Sequence, residues 1–159
     1  MAVTVSGLFV ANMIDVFDAT QLAIDLSLTT HKIALFSNSI TPNFSTDTAY
    51  GVAPYNGNEI SGTGWASGGV ALSAAAAGAT STAPTNTESP TGTQMYDMGD
   101  VSVALTTLTN ARCALLYADA LAGNQGIVLV NFGADYSTVA GTFGIAWAAT
   151  GVFTIDWTP

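Results

Sequence analysis

The chain has 159 residues, enough to bury one hydrophobic core but not two. Charged residues make up only 8% of it, against about 25% in typical soluble domains, and eleven acids outnumber two bases to give a net charge of −9. With 49% hydrophobic residues, this composition excludes a chain disordered by its charge, and two bases are too few to bind nucleic acid or anionic lipid headgroups.

The N-terminal segment, residues 1–28, is expected to form a helix or an arm. Apolar residues at helical spacing predict a helix over residues 7–28, and a β-strand over residues 2–10 is the alternative. An apolar terminus is costly to leave in water, so this segment is expected to bind a partner protein. The residues expected to contact that partner are Leu8, Phe9, Met13, Val16 and Phe17. Deletion of residues 2–20 is therefore expected to abolish binding and to leave the rest of the chain folded.

Signals for targeting and membrane insertion are weak throughout the sequence. Residues 7–11 are apolar, but they are few and no base precedes them, so no secretory signal is expected. No run of about 20 apolar residues occurs, which excludes a transmembrane helix. The one cysteine, Cys113, cannot form an internal disulfide.

Residues 29–159 are expected to form a single β-sandwich domain. Short apolar or alternating segments bounded by turn residues predict strands at residues 32–37, 69–73, 101–106, 111–118, 126–132, 142–147 and 153–157. Segments 111–118 and 126–132 flank the turn-forming residues 122–125, which predicts a hairpin. Both segments are apolar on both faces, so they are expected to lie centrally in a sheet.

Two longer segments are predicted to be loops. Residues 38–58 contain several Pro, Asn and Gly residues. Residues 74–94 are low in complexity, contain Pro84 and Pro90, and are expected to form an exposed loop. With seven or eight short strands and frequent turns, the chain is predicted to be mainly β, a single-domain β-sandwich or jelly-roll-like fold with a short N-terminal helix or arm.

No set of catalytic residues emerges from the sequence. His31 is the only histidine, and at the start of a strand it is expected at the surface or at an edge. Cys113 shares a strand face with Leu115 and Tyr117, which predicts a buried thiol rather than a nucleophile. Neither a phosphate-binding loop nor a nucleophile elbow is present. The chain is accordingly expected not to be an enzyme and to hold no cofactor.

The acids offer at most a weak cation site. Asp97 and Asp100 bracket a two-residue turn and could give two ligands to Ca²⁺. The remaining ligands of an EF-hand loop are missing. A solvated turn is therefore favoured, and no metal site is predicted.

Aromatic residues in loops rich in Gly, Asn and Pro point to an alternative role. Their rings could stack on sugars, which would make Tyr50, Tyr55 and Trp65 glycan-binding residues. For Trp65, as for Trp147 and Trp157, a position in the core or in an interface is favoured over exposure.

Four short motifs occur in an order that is typical of one protein family. The matching residues are Lys32, Thr41 and Pro42 in the first motif, Glu59, Gly62, Gly64, Trp65, Gly68 and Gly69 in the second, Ala111, Arg112 and Tyr117 in the third, and Phe132 and Gly133 in the fourth, where Asn131 replaces an acid. Through these motifs the chain resembles, over residues 25–157, a family of small structural proteins encoded by tailed bacteriophages. It departs from the family pattern in its low charge and in the long segment 74–94.

The resemblance implies a virion protein without enzymatic activity, made in the host cytoplasm. A head decoration or minor capsid protein that binds the major capsid protein is favoured, and capsid symmetry favours a homo-oligomer, most simply a trimer at three-fold positions. The alternative is a tail or fibre component that recognises a host-surface glycan. Nucleic acid and membrane are not expected among the partners. Because few charges are available, binding is expected to be nearly independent of salt.

Overall fold

The computed structural model describes residues 2–18, 22–72 and 82–158. Within them the chain is mainly β, with one short helix and antiparallel sheets, as the sequence predicts. The elements in chain order are β1 Gly7–Leu8, α1 Val10–Phe17, β2 Lys32–Phe36, β3 Glu59–Ile60, β4 Val70–Ala71, β5 Thr85–Glu88, β6 Thr93–Asp97, β7 Val101–Ala118, β8 Gln125–Ile145 and β9 Phe153–Asp156.

The larger sheet has the strand order β1-β8-β7-β2-β3, and β4 also pairs with β2. All of these pairs are antiparallel. The predicted central position of residues 111–118 and 126–132 is confirmed, because they lie side by side between β1 and β2 and are largely buried. The predicted hairpin is confirmed as well, since Ala118 pairs with Gln125 across the turn.

β5, β6 and β9 form a second, three-stranded sheet. The prediction of an exposed loop over residues 74–94 is wrong for Thr85–Glu88 and for the first residues of β6. These Thr-containing segments pair with each other as strands, in keeping with the strand preference of β-branched residues. Residues 73–81 of the predicted loop lie outside the described residues. Although a short link joins β8 to β9, β9 pairs with β6, so the last two strands belong to different sheets.

β7 and β8 are much longer than the sequence predicts, with 18 and 21 residues. Each unites two predicted strands, because the ladder continues through several bulges. The bulges place Leu105 and Asn110 at a positive φ of 58° each. Leu105 was expected on a half-buried face and is instead 70% exposed, because a bulge interrupts the alternation of buried and exposed side chains.

The hydrophobic core consists of two clusters, one on each face of the larger sheet. Alternation along β2 sends Ile33 to the first cluster and Phe36 to the second. The first cluster lies between the sheets, where Ile33 and Leu116 share a cluster with Tyr96 of the smaller sheet. The second cluster, which includes Tyr117, is covered by the N-terminal segment and by the loop before β3. The two sheets with the first cluster between them form the predicted β-sandwich.

The N-terminal segment is packed into this sandwich rather than extending from it. Val3 and Phe9 are fully buried in the second cluster. The Phe9 N–H donates a hydrogen bond to the carbonyl oxygen of Ile127 in β8 (3.2 Å). Deletion of residues 2–20 would remove these core side chains, which contradicts the expectation that the rest of the chain stays folded without them.

The predicted helix over residues 7–28 is confirmed for Val10–Phe17 and wrong for residues 7–9, 18 and 22–28, while residues 19–21 lie outside the described residues. Gly7–Leu8 is a strand, because its backbone pairs with β8. Asp18 adopts an extended conformation that ends the helix, and residues 22–28 are not helical. A helix of eight residues is too short to be stable alone, so its packing against the sandwich maintains it.

Candidate functional site

Helix α1 carries an exposed apolar stripe formed by Val10, Ile14 and Phe17, hereafter the helix stripe. Their spacing of four and three residues places them on one side of the helix, and they are 46%, 61% and 72% exposed. The opposite side is anchored by the buried Asn12, whose side-chain amide donates hydrogen bonds to two backbone carbonyl oxygens at 2.6 and 2.7 Å. Asn12 therefore fixes which side of the helix faces solvent.

Of the five residues predicted to bind a partner, only Phe17 is exposed. Phe9 is a core residue and is corrected to a structural role. Leu8 is half-buried against the first core cluster. Met13 and Val16 are half-buried and line a depression of about 130 Å³ between α1 and the smaller sheet.

Val10 and Ile14 were missed in the sequence because α1 is apolar on nearly every side. Helical spacing alone does not distinguish the stripe that packs from the stripe that faces solvent. The one informative residue is Asn12, a polar side chain that is buried because two backbone carbonyls accept its amide hydrogens.

A second depression, the tryptophan groove, lies on the smaller sheet and has a volume of about 430 Å³. It is lined by Trp157, by Gly92 and by five polar side chains, those of Asn86, Thr87, Glu88, Thr93 and Gln94. Trp157 is 57% exposed and is not part of the core. Its ring packs edge-on against Phe17 with the ring centroids 6.1 Å apart, which joins the groove to the helix stripe.

A third depression, the Glu59 depression, has a volume of about 270 Å³ and is lined by Tyr50, Tyr55, Asn56, Glu59, Ser67 and two glycines. Three hydrogen bonds converge on the carboxylate of Glu59. Glu59 Oε2 accepts from the hydroxyl groups of Tyr50 (3.0 Å) and Ser67 (2.7 Å), and Oε1 accepts from the Gly68 N–H (2.7 Å). Tyr50 stacks on Tyr117 with the centroids 4.6 Å apart and the planes 10° apart.

The structure brings Tyr50 and Tyr55 together in this depression and places Trp65 elsewhere. Tyr55 is only 2% exposed, and Trp65 is fully buried against Phe143, with ring centroids 5.4 Å apart. Buried rings offer no face to a sugar, which contradicts a stacking role for Tyr55 and Trp65. Tyr50 is half-buried, and Tyr117 covers one face of its ring.

His31 and Cys113, the residues with the most reactive side chains, are both buried. His31 is 1% exposed, so its expected surface position is wrong. Its Nε2–H donates to the Asp25 carbonyl oxygen (2.7 Å), and burial lowers the pKa of His31 below its ordinary value. Cys113 is fully buried, as predicted, and burial raises the pKa of its thiol to about 12. Cys113 is therefore protonated and inert at neutral pH.

Both basic side chains are ion-paired, and the described residues contain no cluster of metal ligands. Among the described residues, no three His, Cys, Asp or Glu side chains lie close enough together to hold a metal ion. Asp100 Oδ1 accepts a backbone hydrogen bond at 3.0 Å. Both bases are paired, Lys32 with Asp119 at 2.9 Å and Arg112 with Asp135 at 3.4 Å. In the same described ranges, no helix is long and apolar enough to cross a membrane.

Comparison with known proteins finds no family model, no curated protein and no solved structure that matches the chain. The candidate surfaces are therefore those that the structure itself provides. The helix stripe is apolar and exposed, and the tryptophan groove beside it is polar around one exposed ring.

Proposed function

We propose that this chain is a virion structural protein of a tailed bacteriophage, a capsid decoration or minor capsid protein that binds the major capsid protein through the helix stripe. The observation that carries the proposal is the exposure of Val10, Ile14 and Phe17 on one side of an anchored helix. A contiguous apolar surface held in a fixed position is typical of a protein–protein contact. The family resemblance supports the choice of a virion as the setting.

The helix stripe suits an apolar protein surface better than a charged surface. The only charged residue of α1, Asp15, is half-buried and lies off the stripe. Complete burial of each large apolar side chain of the stripe would contribute about 1.5–3 kcal/mol as an upper value. Since apolar burial is insensitive to ionic strength, binding to particles should be nearly the same at low and at high salt.

A homo-oligomer fits this role, with a trimer at the three-fold positions of a capsid as the preferred form. The subunits would be made in the host cytoplasm and incorporated into the virion. Light scattering of the purified protein and the symmetry of its density on imaged particles would each measure the number of copies.

The proposal is tested by adding purified protein to phage particles that lack it and by sedimenting the particles. The wild type should sediment with the particles in both low and high salt. The double variant Ile14→Ser, Phe17→Ser should bind at least about tenfold more weakly, because aliphatic and aromatic anchors dominate interfaces of this kind.

The matched control is Val52→Ser, which changes a similarly exposed side chain (45%) in the loop before β3. It should bind as the wild type does, and all variants should melt close to the wild-type temperature because the altered side chains are exposed. Equal binding by the double variant would exclude the helix stripe as the contact. Absence of the wild-type protein from particles would exclude a virion role altogether.

A further inference from the structure

The tryptophan groove combines one exposed aromatic ring with oriented polar side chains. Glu88 and Gln94 lie opposite each other on β5 and β6, and Asn86 lies two residues away on the same face. The Gln94 amide donates to Asn86 Oδ1 (2.9 Å), and Glu88 Oε1 accepts from the Gly92 N–H (2.8 Å). These bonds hold the side chains in position. Among the hydrogen bonds of the described residues, none engages Glu88 Oε2, Gln94 Oε1 or Asn86 Nδ2.

Trp157 is held in place while much of its ring stays accessible. Its backbone N–H donates to the Gly92 carbonyl oxygen (2.9 Å), beside the last pairs of β9 and β6, which fixes the main chain at this residue. Its ring meets the Phe17 ring at 79°, and the side chain is still 57% exposed. A ring that is already fixed loses little conformational entropy when a ligand stacks on it.

We infer that the tryptophan groove binds a carbohydrate. A sugar ring has an apolar C–H face that packs on an aromatic ring, and hydroxyl groups at its edge that both donate and accept hydrogen bonds. Trp157 supplies the ring, while Glu88, Gln94 and Asn86 supply acceptors and donors around it. The volume of about 430 Å³ falls within the range of about 300–1,000 Å³ that is usual for ligand pockets, and it accommodates a short oligosaccharide.

Other classes of ligand fit the groove less well. A phosphate or a nucleotide needs cationic partners, but Lys32 and Arg112 are both ion-paired outside the groove and Glu88 adds negative charge. A quaternary ammonium group is usually enclosed by several aromatic rings, and the groove has one. The inference does not depend on the capsid role, because the residues that line the groove are distinct from the helix stripe, which meets the groove at the ring contact between Phe17 and Trp157.

The inference is tested with the full chain on a glycan array of neutral and acidic oligosaccharides, followed by calorimetric titration of each glycan that is retained. The wild type should retain at least one class of glycan. Trp157→Ala should weaken binding at least about tenfold, because the stacking face is lost. Trp157→Phe should retain part of the affinity, and Gln94→Ala should weaken binding severalfold.

The matched control is Tyr136→Ala, which removes another exposed aromatic ring (52%), on β8 outside the groove. This variant should bind glycan as the wild type does, and equal melting temperatures of both alanine variants would exclude unfolding as the cause of a loss. The inference is overturned if the wild type retains no glycan, or if Trp157→Ala and Tyr136→Ala bind equally well. It is also overturned if Trp157→Ala weakens only the binding to phage particles, which would assign the groove to a protein contact.

Discussion

The Glu59 depression and the tryptophan groove contain similar side chains, but those side chains serve different purposes. In the Glu59 depression, both carboxylate oxygens accept hydrogen bonds from the protein, and Tyr50 is stacked on Tyr117. In the tryptophan groove, Glu88 accepts one described hydrogen bond, from a backbone N–H, and Trp157 is more than half exposed. The first arrangement stabilises a loop, and the second leaves groups available for a ligand.

This contrast shows that an acid beside an aromatic ring is not in itself a binding site. The Glu59 carboxylate ties the loop before β3 to the turn at Ser67 and Gly68. Tyr117 then ties that turn to β7, since its hydroxyl donates to the Gly68 carbonyl oxygen (2.6 Å). Each polar group satisfied in this way is lost to a ligand. Substitutions in the Glu59 depression should therefore lower stability, whereas substitutions in the tryptophan groove should weaken ligand binding.

The largest effect on stability is expected for Trp65, which is fully buried and lies two residues before Ser67 of the Glu59 depression. The tight turn closed by hydrogen bonds between Gly62 and Trp65 directs the indole into the first core cluster. Trp65→Ala should lower the free energy of unfolding by about 3–5 kcal/mol. Trp157→Ala, in the groove, should lower it by about 1 kcal/mol or less. Urea denaturation measures the free energy of unfolding of both variants. Equal losses would contradict the distinction between a buried structural tryptophan and an exposed ring in the groove.

A smaller but clear effect is expected for Glu59. Glu59→Ala leaves the Tyr50 and Ser67 hydroxyls and the Gly68 N–H without their acceptor, so it should cost about 2–3 kcal/mol. Glu88→Ala is the matched change in the groove and should cost about 0.5 kcal/mol or less, because its site is exposed. Denaturation midpoints of the two variants measure this difference. Equal losses of stability would mean that the two carboxylates contribute equally to the fold.

Much of the fold followed from the sequence because local patterns determine it. Alternation along β7 correctly placed Cys113, Leu115 and Tyr117 on one buried face. The central hairpin was also predictable, because apolar strands flank a cluster of turn-forming residues. These features depend on short-range spacing and on the burial of apolar residues, both of which can be read without knowing the partner strands.

The candidate site was harder to predict because it depends on long-range pairing. Nothing in the Thr-rich residues 85–88 reveals that β5 pairs with β6 and that β6 pairs with β9. The sequence predicts a position in the core or in an interface for both Trp65 and Trp157. The core position is confirmed for Trp65, whereas Trp157 is 57% exposed, because sheet pairing decides which rings another layer covers.

A moderate effect is expected where Tyr117 joins the Glu59 side to the larger sheet. Tyr117→Phe keeps the stack on Tyr50 but removes the hydrogen bond to the Gly68 carbonyl oxygen, so it should cost about 1 kcal/mol. Tyr136→Phe, at an exposed tyrosine of β8, should change stability by less than about 0.5 kcal/mol. Thermal melts of the two variants provide the comparison. An unchanged melting temperature for Tyr117→Phe would mean that the hydrogen bond to Gly68 does not stabilise the fold.

The smallest effect is expected for the pH dependence of stability, through His31, which lies near the tryptophan groove's side of the molecule. His31 holds the segment of Ile24 and Leu26 through its bond to the Asp25 carbonyl oxygen, and those two side chains line the depression beneath α1. Burial lowers the pKa of His31 in the folded protein, so the unfolded chain takes up a proton first as the pH falls through about 6.5. Protonation would also place a charge on Nδ1, which has no partner among the described residues.

Acidification should consequently destabilise the folded protein between about pH 6.5 and the lower pKa of folded His31, and the stability should return as the pH is raised. His31→Gln keeps an amide donor for the Asp25 carbonyl oxygen but cannot titrate, so its urea midpoint should be flat over that window. Asp25 itself does not interfere, because hydrogen bonds from Ser27 hold the pKa of its carboxyl below the ordinary 3.8. A wild-type midpoint that stays constant from about pH 7.5 to 5, or an identical slope in His31→Gln, would show that this histidine does not link the groove side to pH.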